Sequence, residues 1–283
     1  MLDTGNPLPD PDRNGPAIAV VVNGQPYLVD AGEGVWRGMG REGPDYDGRF
    51  PAFKRQSNTL AQIFLTHLHN DHTLGLPAAI LGPWTLGKTK PPHVYGPPGT
   101  EELVEHILIA YRRDIDFRIY SPTRKNDTGW RAVAHEITEP GLIYEDANVK
   151  VRAFKSCHAT WPLTFAYRFE TPDRVIAVSG DTRPCPGVVA AAKGADILLH
   201  EVYALGSLDQ APWPNTAEEI KRLKKLWHTS TEELAEIANE VQPKLLVLYH
   251  EQNWSGDPEQ TVTELERFGY KGKVISSRDR DIF

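Results

Sequence analysis

Thr66-His67-Leu68-His69-Asn70-Asp71-His72 crowds four metal-ligand-type side chains, His67, His69, Asp71 and His72, into six residues. The apolar run just before it, Gln62 to Thr66, reads as a buried strand that ends where the histidines begin. Side chains alternate along an extended chain, so His67 and His69 project to the same side. Past the strand end the chain is free to turn, which brings Asp71 and His72 toward the same point. Imidazole nitrogen and carboxylate oxygen suit zinc and several other first-row metals. One histidine alone would ordinarily be structural; four donors at this spacing point to a metal.

A hydrolytic metal keeps a coordination position open for water, so a second metal would need ligands from elsewhere. Candidates stand where other predicted strands end: His158 in Ser156-Cys157-His158-Ala159, Asp181 in Ser179-Gly180-Asp181-Thr182, and His250 in Leu248-Tyr249-His250. The strands in question are predicted over 149–154, 164–169, 175–179, 197–200, 245–249 and 273–276. An earlier pair, 17–22 and 26–30, flanks Asn23-Gly24, a hairpin signal because both residues tolerate positive φ. Helices are predicted over 100–113, 186–193, 231–241 and 258–268. In the third, Ser230 and Glu233 have the spacing of a capping box. The Pro- and Gly-rich stretches 7–16, 91–98 and 206–215 read as surface loops. Strands followed by short helices, in two rounds and without a convincing linker, favour one domain over residues 1–283.

The 283 residues include 40% hydrophobic and 24% charged side chains, a folded rather than disordered composition. The net charge of −7 gives no general attraction to a polyphosphate backbone. Cys157 and Cys185 do not suggest a disulfide framework and read as two buried free thiols. No apolar run is long enough for a bilayer span. The start, Met1-Leu2-Asp3-Thr4-Gly5, lacks the basic and apolar regions of a signal peptide. The compartment is open: cytoplasm, or periplasm or exterior where a leader has been removed.

The succession His-x-His-x-Asp-His, a later His, a later Asp and a final His resembles the metallo-β-lactamase superfamily over nearly the whole chain. The resemblance implies an α/β fold, an αββα sandwich of two mixed β-sheets flanked by helices, with one or two metals between the sheets. It implies that His67, His69 and His158 hold one metal, that Asp71, His72 and His250 hold the other, and that Asp181 bridges the two together with a hydroxide. Two divalent ions are thus expected, zinc first, with manganese or iron also suited to these donors.

Within the superfamily, Leu2-Asp3-Thr4-Gly5-Asn6-Pro7, Asp71-His72-Thr73-Leu74-Gly75-Leu76-Pro77, Ser179-Gly180-Asp181-Thr182-Arg183-Pro184 and His228-Thr229-Ser230-Thr231 are similar to the tRNase Z and arylsulfatase-like branch. Gly usually stands in that pattern where Asp3 is, after a further strand, so the chain is expected to start late. His228 resembles the residue that reaches the scissile group, donating a proton to the leaving oxygen or stabilising negative charge. Asp71 is the second catalytic candidate, orienting the hydroxide. Glu201 could orient His228. His93, His106, His135 and His200 have no ligand spacing and read as surface or structural.

The substrate is read from an absence. tRNA-processing members usually carry a long arm between the equivalents of His158 and Asp181, and here only 23 positions separate them. With the negative net charge, this favours a small anionic ester, an aryl sulfate or phosphodiester, over a nucleic acid. Ala110-Tyr111-Arg112-Arg113-Asp114-Ile115-Asp116 is similar to arylsulfatase-like members. The alternatives are a lactonase or β-lactamase acting on a ring carbonyl, a tRNA 3′-processing endonuclease, and a non-catalytic metal-binding module. No membrane partner is expected, and a homodimer is possible. Protein purified without added metal should contain up to two equivalents by elemental analysis, and Asp181→Ala should lower that content. An unchanged content would exclude Asp181 as a bridging ligand.

Overall fold

The computed structural model describes residues 1–46, 48–54, 60–122 and 124–283. They fall into two compact units, one of residues 1–138 with 279–283, the other of residues 139–278.

The first unit contains β1 (Ile18–Val22), β2 (Gln25–Val29), α1 (Val35–Glu42), β3 (Gln62–Phe64), α2 (Asn70–Thr73), α3 (Leu76–Thr85), β4 (His93–Gly96), α4 (Thr100–Ala110), α5 (Arg112–Tyr120) and β5 (Val133–Glu136). Its sheet runs β1-β2-β3-β4-β5, with β1 antiparallel to β2 and every later pair parallel. Asn23 and Gly24 make the β1–β2 turn with φ of 49° and 75°, the left-handed pair that a two-residue hairpin requires. Leu28, Ile63 and Val94 of the sheet pack with Val35 and Met39 of α1 and with Leu76, Ala79, Ile80 and Trp84 of α3. The stretch 91–98, predicted as a loop, holds β4. Its prolines lie outside the strand, leaving Val94 buried and able to bond in register. The helix predicted over 100–113 is two helices, since Tyr111 leaves helical geometry at φ −95°, ψ 7°.

The second unit contains β6 (Gly141–Glu145), β7 (Lys150–Lys155), β8 (Phe165–Glu170), β9 (Val175–Val178), α6 (Pro186–Ala192), β10 (Ile197–Tyr203), α7 (Ala217–Trp227), α8 (Thr231–Val241), β11 (Leu245–Gln252), α9 (Gln260–Arg267) and β12 (Val274–Ser276). Its sheet runs β12-β11-β10-β9-β8-β7-β6, parallel from β12 to β9 and antiparallel from β9 to β6. Strands β10 and β11 of the parallel half are buried and accordingly open on apolar runs, Ile197-Leu198-Leu199 and Leu245 to Tyr249, before their polar residues His200, Glu201 and His250 to Gln252. Ala235 and Ala238 of α8 and Leu265 of α9 pack on Leu198, Leu246 and Leu248. Ser230 and Glu233 close the predicted capping box on α8, and Thr216 with Glu219 closes a second on α7, which the sequence reading did not find.

Cys157 and Cys185 are not free thiols. They form a disulfide with Cα atoms 5.7 Å apart across 28 positions. The β8–β9 hairpin returns the chain, so residues after β9 lie beside the end of β7; Arg183 N–H donates to the Cys157 carbonyl at 2.9 Å. Under oxidising conditions, Cys185→Ser should lower unfolding stability by about 2–4 kcal/mol. Denaturant titrations of wild type, reduced wild type and the variant should place the last two together; three coincident curves would deny the bridge any stabilising role.

Candidate metal and catalytic site

In the first unit, β3 delivers the chain to the histidine run and α2 turns it. Asp71 and His72 are helical, whereas His67 and His69 lie in the irregular approach. The ring centres of His67 and His69 are 4.7 Å apart and those of His67 and His72 are 4.1 Å apart. His72 Nε2 lies 3.6 Å from Asp71 Oδ2. Behind them stands Asp30, just after β2 and 1% exposed. Its carboxylate accepts from Thr66 N–H at 2.8 Å and from Thr66 Oγ1 at 2.8 Å, and it faces His72 Nδ1 at 2.8 Å. That contact leaves Nε2 as the nitrogen His72 could offer a metal. Sequence reasoning missed Asp30; its one signal was a polar residue closing an apolar strand.

In the second unit, His158 follows β7, Asp181 follows β9, His228 follows α7, and His250 lies within β11. The ligand-type atoms of Asp181, His228 and His250 all lie within 4.8 Å of one another, and all three residues are buried. His250 is the extra residue of a bulge: Glu201 pairs with Tyr249 and Val202 with Glu251. Its φ of 48° re-aims a side chain that regular pleating would set by alternation. Gly180 (φ 61°) precedes Asp181 and Ala159 (φ 46°) follows His158, so a left-handed turn adjoins each of these candidate ligands. His158 Nδ1 donates to the Trp227 carbonyl at 2.7 Å, which likewise leaves Nε2 as the nitrogen it could offer a metal.

Glu201 ties this set together. It accepts from the backbone N–H of Thr182 at 3.2 Å and of Thr229 at 3.0 Å, and its Oε2 lies 3.3 Å from His228 Nδ1. Burial, then the neighbouring Asp181 carboxylate, pushes the Glu201 carboxyl well above the ordinary range. His228 Nδ1 is 3.8 Å from Asp181 Oδ2, and His250 Nε2 is 3.6 Å from it.

The other histidines lie apart from these sets. His200 is buried with Nδ1 on the Glu201 carbonyl at 2.6 Å, and burial lowers its pKa to about 4. His93 bonds His135 at 2.8 Å, and His106 bonds the Glu102 carbonyl at 2.8 Å.

The donor sets fit divalent metal: imidazole and carboxylate groups only, with two imidazoles oriented from behind, His72 by the buried Asp30 carboxylate and His158 by the Trp227 carbonyl. Asp30→Asn should weaken zinc binding about 10–100-fold, because that carboxylate orients His72. Competition against a chromogenic chelator measures this, and an affinity equal to wild type would remove Asp30 from the supporting shell.

Residues 26–250 match the Beta-lactamase superfamily domain. Ribonuclease Z of Mycobacterium sp. (strain KMS) is 34% identical over 253 residues, covering 88% of this chain and 82% of that protein. Ribonuclease Z of Mycobacterium marinum is 32% identical over 255 residues, covering 88% and 84%. Among solved structures, human tRNase Z, short form, aligns at TM-score 0.65 and 22% identity over 98% of this chain and 95% of that one. A diphosphatase of the PhnP family aligns at TM-score 0.65 and 18% identity over 98% and 93%. At these identities the structural likeness is one of fold.

These relatives overturn the expectation of a small anionic ester and no nucleic acid, and with it the arylsulfatase-like reading; the alternative named there, tRNA processing, is the better supported. Both grounds for the expectation were physically weak. Net charge is a whole-chain sum and hides local clusters such as Lys221, Arg222, Lys224 and Lys225. A short gap, here only the β8–β9 hairpin, reports on an accessory arm rather than on the reaction. With the match spanning most of its length, two mixed sheets flanked by helices and these donor sets, the chain belongs to the β-lactamase superfamily, as a metal-dependent hydrolase of the metallo-β-lactamase fold.

Proposed function

We propose that the protein is a ribonuclease of the tRNA 3′-processing type, hydrolysing a phosphodiester bond of RNA, with residues 1–283 acting as one catalytic domain. The observation that carries this reading is the 34% identity to Ribonuclease Z over 88% of this chain and 82% of that protein.

The ligand assignment is part of the proposal. His67, His69 and His158 would hold one ion, Asp71, His72 and His250 the other, and Asp181 both. Nitrogen and oxygen donors make zinc the first choice, with manganese or iron as substitutes. When bound, the ions supply Lewis-acid polarisation of the phosphoryl group and a lowered pKa for attacking water. The remaining work falls to the chain. Asp71 orients the attacking water. Glu201 beside Nδ1 orients the His228 ring, leaving Nε2 to deliver a proton to the departing ribose oxygen. The Trp227 carbonyl and Asp30 keep His158 and His72 in one tautomer each.

Metal-loaded protein should shorten a 3′-extended precursor tRNA, read on a denaturing gel; intact precursor at full metal content would overturn the ribonuclease reading. His228→Ala should lower kcat by about 10²–10⁴-fold at unchanged metal content, the range for loss of a general acid. A kcat near wild type would reassign the proton donor.

A further inference from the structure

The last turns of α7 carry Lys221, Arg222, Lys224 and Lys225, four cations and no anion, in a chain whose net charge is −7. Lys221, Arg222 and Lys225 are exposed. Interleaved with them is an outward stripe at helical spacing, with Leu223 47%, Leu226 56% and Trp227 38% exposed. On a helix packed by Ile220 alone of its buried residues, that stripe faces solvent. Beside it stands Trp213, 39% exposed, edge-to-face with Trp254 at 5.2 Å. Lys224 Nζ hydrogen-bonds Gln252 and lies 5.0 Å from the Trp213 ring centre.

This surface continues into the catalytic residues. Trp227 directly precedes His228, its carbonyl holds His158 Nδ1, and its ring meets the His158 ring edge-to-face at 5.4 Å. Cations alternating with accessible indole rings have the chemistry of a single-strand binding track: charge for the backbone and flat faces for unstacked bases. A second copy docking the same patch on itself would bring like charges together.

We propose that the basic end of α7, with Trp213, binds a single-stranded segment of the RNA substrate, its phosphates on Lys221, Arg222 and Lys225 and its bases on Trp213 and Trp227. This rests on the ribonuclease reading and adds where this chain, without an arm between His158 and Asp181, grips its substrate.

The test compares wild type, a Lys221→Gln/Arg222→Gln/Lys225→Gln variant and Trp213→Ala, each at matched metal content. The assays are cleavage of 3′-extended precursor tRNA and fluorescence anisotropy with a single-stranded RNA oligonucleotide. For the triple variant, KM should rise at least about fivefold with kcat within about twofold. Its plot of log Kd against log salt should be shallower by ~2, from three phosphate contacts at ~0.7 each. Trp213→Ala should weaken binding about fivefold or more while keeping the wild-type slope, as loss of stacking requires. If wild type cleaves RNA and the triple variant retains its KM and slope, the α7 assignment is overturned and the ribonuclease reading stands. If metal-loaded wild type neither binds nor cleaves RNA, both fall. Should the triple substitution instead dissociate a wild-type dimer in sedimentation, α7 is an interface between copies and the assignment is likewise overturned.

Discussion

A buried carboxylate that accepts from both the backbone and the hydroxyl of one residue leaves that residue almost no freedom. Asp30 does this to Thr66, and the histidine run starts at the next position. The same carboxylate takes Nδ1 of His72, so one acid sets both where the run begins and which nitrogen its last member presents. Metal ligation demands this kind of support, because an imidazole free to rotate or change tautomer loses much of its affinity as a ligand. Asp30 itself sits at φ 58°, in the left-handed region, which a residue other than glycine occupies at a cost of order 1–3 kcal/mol. The buried β2–β3 pairing and the packing behind it hold the carboxylate there.

The second unit solves the same problem with Glu201. This acid sits on β10, an interior strand of the sheet, and the segments it bonds, around Thr182 and Thr229, carry Asp181 and His228. Left-handed backbone at Ala159, Gly180 and His250 marks points where the chain at His158, Asp181 and His250 leaves the direction its strand would impose. Local strain and buried hydrogen bonding therefore occur together, the first aiming side chains and the second keeping them aimed. The disulfide between Cys157 and Cys185 adds a covalent tie between the chain segments that carry His158 and Asp181.

A whole-chain charge of −7 says little about a helix end where four cations stand in five positions. Those cations were visible in the sequence, but whether they were dispersed around a helix or continuous with the candidate site depended on α7 running directly into His228. The prolines around β4 misled for a related reason. Proline excludes strand pairing only where its missing N–H is needed, and pairing partners are a property of the sheet.

Residue type and near-neighbour spacing pointed to the candidate donors, the strand ends before His158 and Asp181, the β1–β2 hairpin turn and the cap of α8, because each depends on chemistry spanning a few residues; His250, expected just past a strand, lies inside β11. The tertiary structure alone decided that Asp30 stands behind Thr66 and His72, that the Trp227 carbonyl orients His158, that Cys157 meets Cys185, and that a bulge turns His250. Each of those joins groups separated by tens of residues or depends on strand register. The path of the folded chain, which no local pattern encodes, sets which distant groups meet.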